Sequence, residues 1–140
     1  MSVVRTVLGD IDSKELGFTM AHEHVFMDVA GHGNPDCDWS LWRWDEQFDM
    51  VKKYKANGGG TLIDANPLSP DGRDVARLYT VSKQTGVNIV ACTGFVKEKP
   101  NRENSRHLDG RSVDEIARFF VSEIEDGIDG TDIKAGWIKG

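Results

Sequence analysis

Gly17-Phe18-Thr19-Met20-Ala21-His22-Glu23-His24 is an apolar run closed by two histidines one residue apart. Side chains alternate across a strand, so residues i and i+2 share a face. The run therefore predicts a strand over Phe18 to His24 with both imidazoles on one side, at a spacing one metal ion can bridge, and Glu23 on the other. Imidazole nitrogen suits zinc, iron, cobalt and nickel, and two ligands on one rigid strand lose little entropy on binding. A chance His-x-His pair is the competing explanation, and with only four histidines in the chain the metal reading is favoured. Beyond the pair, a polar stretch rich in Gly, Asp and Trp runs from Asp28 to about Trp44. Sites on parallel α/β proteins are built where a strand gives way to such a loop.

Working outward, Val3 to Leu8 and Glu15 to Phe18 are short apolar-rich runs around Gly9-Asp10-Ile11-Asp12, which predicts a small hairpin ahead of the main fold. After the polar loop, Asp45 is placed to cap a helix to about Asn57, with Phe48, Val51 and Tyr54 on one stripe and Gly58-Gly59-Gly60 ending it. A buried strand, Thr61 to Ala65, follows. Ser69-Pro70-Asp71 then starts a second helix carrying Val75, Leu78 and Val81, with Gly86 at its stop. A third strand spans Val87 to Thr93, and a charged loop runs from Lys97 to Arg111. Ser112-Val113-Asp114-Glu115 fits a capping box for a third helix, with Val113, Ile116, Ala117, Phe120 and Ile124 as its apolar face and Gly127 as its stop. A last strand, Ala135 to Lys139, closes the sequence. Strand and helix thus alternate three times before a fourth strand, the pattern of a parallel sheet covered by helices.

Bulk properties narrow the function. The 140 residues have the length of one ordinary domain, with 39% hydrophobic and 29% charged content. No apolar run approaches a membrane span, and the N-terminus lacks the basic-then-apolar pattern of a leader, so a cytoplasmic protein is expected. A net charge of −6 argues against a nucleic-acid surface. Lys52, Lys53 and Lys55 read as the solvated face of a helix, and the basic stretch from Lys97 to Arg111 is broken by Glu98, Glu103 and Asp109 with no aromatic residues interleaved. Cys37 and Cys92 are too few for a disulfide framework, and Cys92 reads as a small core residue.

Right-handed crossovers would bring the strand C-termini to one end of the sheet, gathering His22, His24, Asp64, Thr93 and Lys139. Asp64 either caps the turn after its strand or touches the site. Thr93 reads as structural, and Glu23 as a hydrogen-bonding group in the wall rather than a general base. His32 and His107, without ligand spacing to the pair, read as solvated. Trp39, Trp42 and Trp44 either roof a substrate pocket or staple their loop to the surface. From the residues alone, Lys139 is a strand-end lysine whose head reaches solvent.

Val7-Leu8-Gly9 followed by Leu16 to His24, together with Val113-Asp114-Glu115-Ile116-Ala117 and Ala135-Gly136-Trp137-Ile138-Lys139, resembles the phosphotriesterase family of the amidohydrolase superfamily. The strands Thr61 to Asp64 and Ile89 to Gly94 fit it in order and spacing, so the resemblance spans essentially the whole chain. It implies the first half, strands one to four and helices one to three, of a (β/α)8 TIM barrel preceded by a short β-hairpin. It also implies two divalent metal ions at the C-terminal mouth, zinc by default, with manganese, cobalt or iron able to substitute. His22 and His24 would bind the more buried metal. Lys139, carrying a carbamate derived from carbon dioxide, would bridge both, which turns a cation into a bidentate anion beside the metals. A metal-bridging hydroxide would then attack a phosphotriester, lactone or carboxylic ester. Phe95 and Trp42 are the expected substrate contacts, although Phe95-Val96-Lys97 lacks the aromatic pair that several lactonase members show.

The family completes its site with histidines from strands five and six and an aspartate from strand eight, and the general base lies there. This sequence stops one residue after Lys139, so strands five to eight are not in it, and the isolated chain is expected to be inactive. A C-terminal half-barrel, or self-association, is expected to cover the sheet edges and apolar interior. Two other readings compete: a non-catalytic half-barrel that binds or assembles, and another amidohydrolase acting on amides.

Overall fold

The computed structural model describes residues 2–28, 40–68, 72–95 and 110–140. His32, Cys37, Trp39, the Ser69-Pro70-Asp71 helix start, His107 and nearly all of the charged loop lie outside the described residues. Three parallel strands carry the architecture: β3 (Phe18–Glu23), β6 (Gly59–Asp64) and β7 (Asn88–Val90), in the order β3-β6-β7. A further parallel pair, β8 (Cys92–Gly94) with β9 (Trp137–Lys139), continues the same run of strands. A short antiparallel pair, β4 (Met27–Asp28) with β5 (Ser40–Leu41), precedes α1 (Trp44–Ala56), and α2 (Val75–Thr85) and α3 (Val113–Glu125) follow the later strands. This is the predicted half-barrel of four strand positions and three helices.

The predicted third strand is one extended segment whose partner changes at Ala91. Upstream, β7 pairs with β6; downstream, β8 pairs with β9, and the Ala91 carbonyl accepts from the Gly136 N–H at 2.8 Å. The core lies between the sheet and α1 and α2. Val51, Val75, Leu78 and Val81 are buried against Leu62 and Ile89, with Phe48 and Tyr54 packed at the margin, as their helical spacing predicts.

Several boundaries differ from expectation. The hairpin pairs β1 (Val3–Thr6) with β2 (Gly9–Asp12), so Gly9 to Asp12 is a strand rather than a turn. Ser13–Glu15 forms a 3-10 turn instead of a strand, because Asp12 accepts from the Lys14 N–H and the Glu15 carboxylate accepts from the Asp12 N–H, a reciprocal cap. The N-cap of α1 is Arg43, with no side-chain cap bond, and Asp45 sits inside the first turn, bound to the Arg43 guanidinium at 3.2 Å. The N-cap of α2 is Asp74, which accepts from the Arg77 N–H at 3.0 Å, while Gly86 closes the helix in the left-handed conformation. β6 begins at Gly59, two residues early, because Gly60 lies against the Leu16–Gly17 backbone where no side chain would fit.

The capping box of α3 is present as predicted, but its expected apolar face is only partly covered. Val113 is 82% exposed, Ile124 packs at the core margin, and the buried residue of the helix is Glu123. Glu123 is held there by Arg73, whose guanidinium donates to both its carboxylate oxygens at 2.9 and 2.6 Å and to Asp129 at 3.0 Å. α3 is thus anchored through its C-terminal half, and its first turn overhangs.

Candidate metal centre

The two histidines do not belong to a regular strand. Met20 pairs with Leu62 and Glu23 with Asp64, so three steps of β3 cover two steps of β6. A bulge at Ala21-His22 inserts the extra residue and re-phases the strand. Phe18 packs on Tyr54 of α1, and Met20, Glu23 and His24 all line a groove of about 290 Å³ against Met50, Val51 and Tyr54 of that helix. In an unbroken strand residues three apart face opposite ways. The imidazoles of His22 and His24 come together, ring centroids 5.3 Å apart. The simple alternation predicted from sequence brings the two imidazoles together, but it puts Glu23 on the opposite side, whereas the irregular pairing leaves Glu23 on the same groove as Met20 and His24.

The other side of the site comes from β6 and β9. Lys139 donates from Nζ to the Ala65 carbonyl at 2.7 Å, so its head is turned inward across the sheet rather than out to solvent. Two residues earlier, Trp137 donates from Nε1 to the Asp64 carbonyl at 3.3 Å. Asp64 is buried and resolves the alternatives in favour of a turn-holding role: it accepts from the Val25 N–H at 2.9 Å and from the Asn66 N–H at 3.3 Å. Asn66, which sequence reasoning missed, joins the two strands by contacting His24 Nδ1 at 2.7 Å and donating to the Phe26 carbonyl at 2.6 Å. Its signal in the sequence is a polar residue ahead of Pro67 at the end of a buried strand. Thr93 is buried opposite Ile138 in the β8–β9 pair.

Electrostatics follow from this burial. Removal from water pushes His24 below the ordinary imidazole range, with the nearby Lys139 and His22 acting in the same direction and the Asn66 hydrogen bond opposing. Burial thus favours the neutral form of His24, the form that carries a free lone pair. Burial raises the Asp64 carboxyl to about 6 against its hydrogen bonds from Val25 and Asn66, and pushes the buried Cys92 thiol up to about 12, an inert core residue as predicted.

Two adjacent imidazoles, one biased toward its neutral form, suit a divalent cation in chemistry, and the Lys139 head reaches the end of β6 from β9. The set is partial. Among the described residues no group of three or more His, Cys, Asp and Glu side chains is gathered to hold a metal ion. Of the two aromatic residues expected at the substrate, Phe95 follows Gly94 directly and its ring packs on Phe120 of α3 at 5.9 Å. Trp42 is exposed and lines a separate cavity of about 320 Å³ with Phe26, Asp74 and Arg77.

The model of the Phosphotriesterase family matches residues 2–140. The chain belongs to the phosphotriesterase family. Among its relatives in the family, the phosphotriesterase homology protein of Escherichia coli (strain K12) is 38% identical over 125 residues, covering 87% of this chain and 40% of that protein. An aryldialkylphosphatase of Saccharolobus solfataricus is 36% identical over 135 residues, covering 92% of this chain and 40% of that protein. A solved lactonase from Listeria monocytogenes superposes with a TM-score of 0.82 at 31% identity, over 98% of this chain and 46% of the other. The chain thus spans less than half the length of these phosphotriesterase-family relatives. Among the described residues no helix is long and apolar enough to cross a membrane.

Proposed function

We propose that this chain contributes His22, His24 and a carboxylated Lys139 to a binuclear metal centre, zinc by default, in a hydrolase of ester-type bonds. The observation that carries the reading is the meeting of the two imidazoles at 5.3 Å, beside an irregularity in the β3–β6 pairing, with the Lys139 head turned in to the end of β6. Divalent metals held there supply Lewis acidity and a nucleophile drawn from water at neutral pH. The chain's own residues supply the rest. His24 is held by Asn66 at the end of β3, and Asp64 ties that end to β6 while Trp137 ties β9 to it. Lys139, once carboxylated, offers two oxygens in place of one ammonium.

The names of the relatives, an aryldialkylphosphatase and a lactonase, support phosphotriesters, lactones or carboxylic esters as the substrate class. Phe95, at the end of β8 beside β9, is proposed as a substrate contact; the position of Trp42 on a separate cavity supports the loop-stapling role. The outer edges of β3 and β9, with Phe18 and Ile138 exposed beside them, are proposed to be closed by further strands of the same barrel fold. We place the assembled enzyme in the cytoplasm.

Metal analysis and hydrolysis assays on the chain alone, and on the chain joined to the strand-five-to-eight half of a family member, test the proposal. Metal-dependent turnover of a phosphotriester or lactone by the joined protein, lost on chelation and in H22A and H24A, is expected. A joined protein that folds, takes up no metal and hydrolyses none of these esters would overturn it.

A further inference from the structure

The amide of Asn66 is fixed in one orientation, and that orientation dictates which nitrogen of His24 is bare. Asn66 is 2% exposed, and its Nδ2 lies 2.6 Å from the Phe26 carbonyl and 3.1 and 3.2 Å from the two Asp64 carboxylate oxygens. Exchanging the amide nitrogen and oxygen would set a carbonyl oxygen against these acceptors, and the Phe26 carbonyl has no proton to offer in return. The nitrogen therefore faces Phe26 and Asp64, and Oδ1 faces His24 Nδ1 at 2.7 Å. An amide oxygen only accepts, so Nδ1 must carry the proton. A neutral imidazole with its proton on Nδ1 has its lone pair on Nε2.

We infer that Asn66 is a positioning residue that locks His24 in the Nδ1–H tautomer and presents a bare Nε2 to the metal. The inference rests on the metal-centre reading above. The lock is stiff for three reasons. The side chain is bound at both ends of its amide, its backbone N–H is tied to Asp64, and Pro67 restricts Asn66 to extended backbone. It also joins β3 to β6 at the level of the ligands, so His24 gains its orientation from a different strand than the one that carries it. Partners of this kind on the far nitrogen of a ligating histidine fix the ring and its tautomer, and their loss weakens metal binding by about 10–100-fold.

The test uses the full 140-residue chain labelled with ¹⁵N. Long-range ¹H–¹⁵N correlation spectra of the metal-free protein at neutral pH are expected to show His24 protonated at Nδ1 and bare at Nε2. In N66A the ring is expected to move toward the Nε2–H form, and zinc binding to weaken by about 10-fold or more. A purely packing role for Asn66 would leave the tautomer unchanged. An Nε2–H ring in the wild type overturns the inference, and so does an Nδ1–H ring that persists in N66A with zinc affinity intact. Should N66A not fold, the wild-type spectrum alone still decides. An Nδ1–H ring that switches in N66A, in a protein that binds zinc in neither form, supports the lock and overturns the metal centre.

Discussion

Lys139 Nζ donates to the carbonyl oxygen of Ala65 at 2.7 Å, a bond between residues 74 apart in the chain. It ties the C-terminal end of β9 to that of β6 and turns a lysine inward instead of along the surface. Carboxylation replaces a three-donor ammonium with a group carrying one N–H and two acceptor oxygens. The modified side chain must therefore give up part of this bond and face a cation. We predict that ¹³C-labelled bicarbonate yields a carbamate resonance only in metal-loaded protein, and that the resonance is missing in K139R. A carbamate signal of equal strength in K139R, or full metal uptake without any carbamate, would contradict the assignment of Lys139.

Gly94 lies opposite Lys139 in the β8–β9 pair with φ of +124°, and a Cβ there would fall on the Lys139 carbonyl oxygen. Only glycine permits both the conformation and the approach. G94A is predicted to lose more than about 2 kcal/mol of stability by denaturant unfolding, since strain and a backbone clash add. Unfolding at the wild-type denaturant midpoint would show that β9 sits farther from β8 than described.

Arg73 and Glu123 form a buried bidentate ion pair, their side chains 1% and 4% exposed. Removing Glu123 leaves the buried guanidinium with only the more exposed Asp129, at 3.0 Å, so E123A is predicted to cost about 3 kcal/mol, the low end for breaking a buried pair. Replacing both with apolar residues of similar volume, R73M with E123L, is predicted to cost less than E123A alone. A double-mutant cycle in urea checks this, and simple additivity of the two changes would contradict it.

Asp64 gives a pH signature. Its carboxyl rises from 3.8 to about 6 through burial, so the folded state binds the proton more tightly than the unfolded chain. The stability contributed by the protonated group is complete below about pH 3.8 and is lost as pH rises through about 6, a change of roughly 3 kcal/mol. Relative to D64N, which does not titrate there, the wild type should weaken between about pH 4 and pH 7.5. A constant difference between the two proteins across that range would contradict the burial of the charge.

Local rules carried much of the fold. The Ser112–Glu115 capping box and the left-handed Gly86 cap depend on neighbours a few residues away, and both are present as read. The stripes of α1 and α2 were legible because their periodicity matches a core they share. What failed depended on partners distant in sequence. The bulge at Ala21-His22 is set by pairing with β6, and the break at Ala91 by the arrival of Gly136 from β9. Glu123 could not be read as buried without Arg73, fifty residues earlier. At the candidate site, His22, His24 and Lys139 are proposed from strand ends and family resemblance, whereas Asn66 becomes visible only when the turn after β6 folds back on Phe26 and His24.

His22 and His24 are proposed to hold a metal ion together. Calorimetric titration of zinc into the full chain, beside H22A/H24A shown by circular dichroism to keep its fold, tests it most directly. A tight zinc site is expected in the wild type and is expected to disappear in the double variant. Equal zinc affinity in the two proteins, or no zinc binding by a folded wild type, would contradict it.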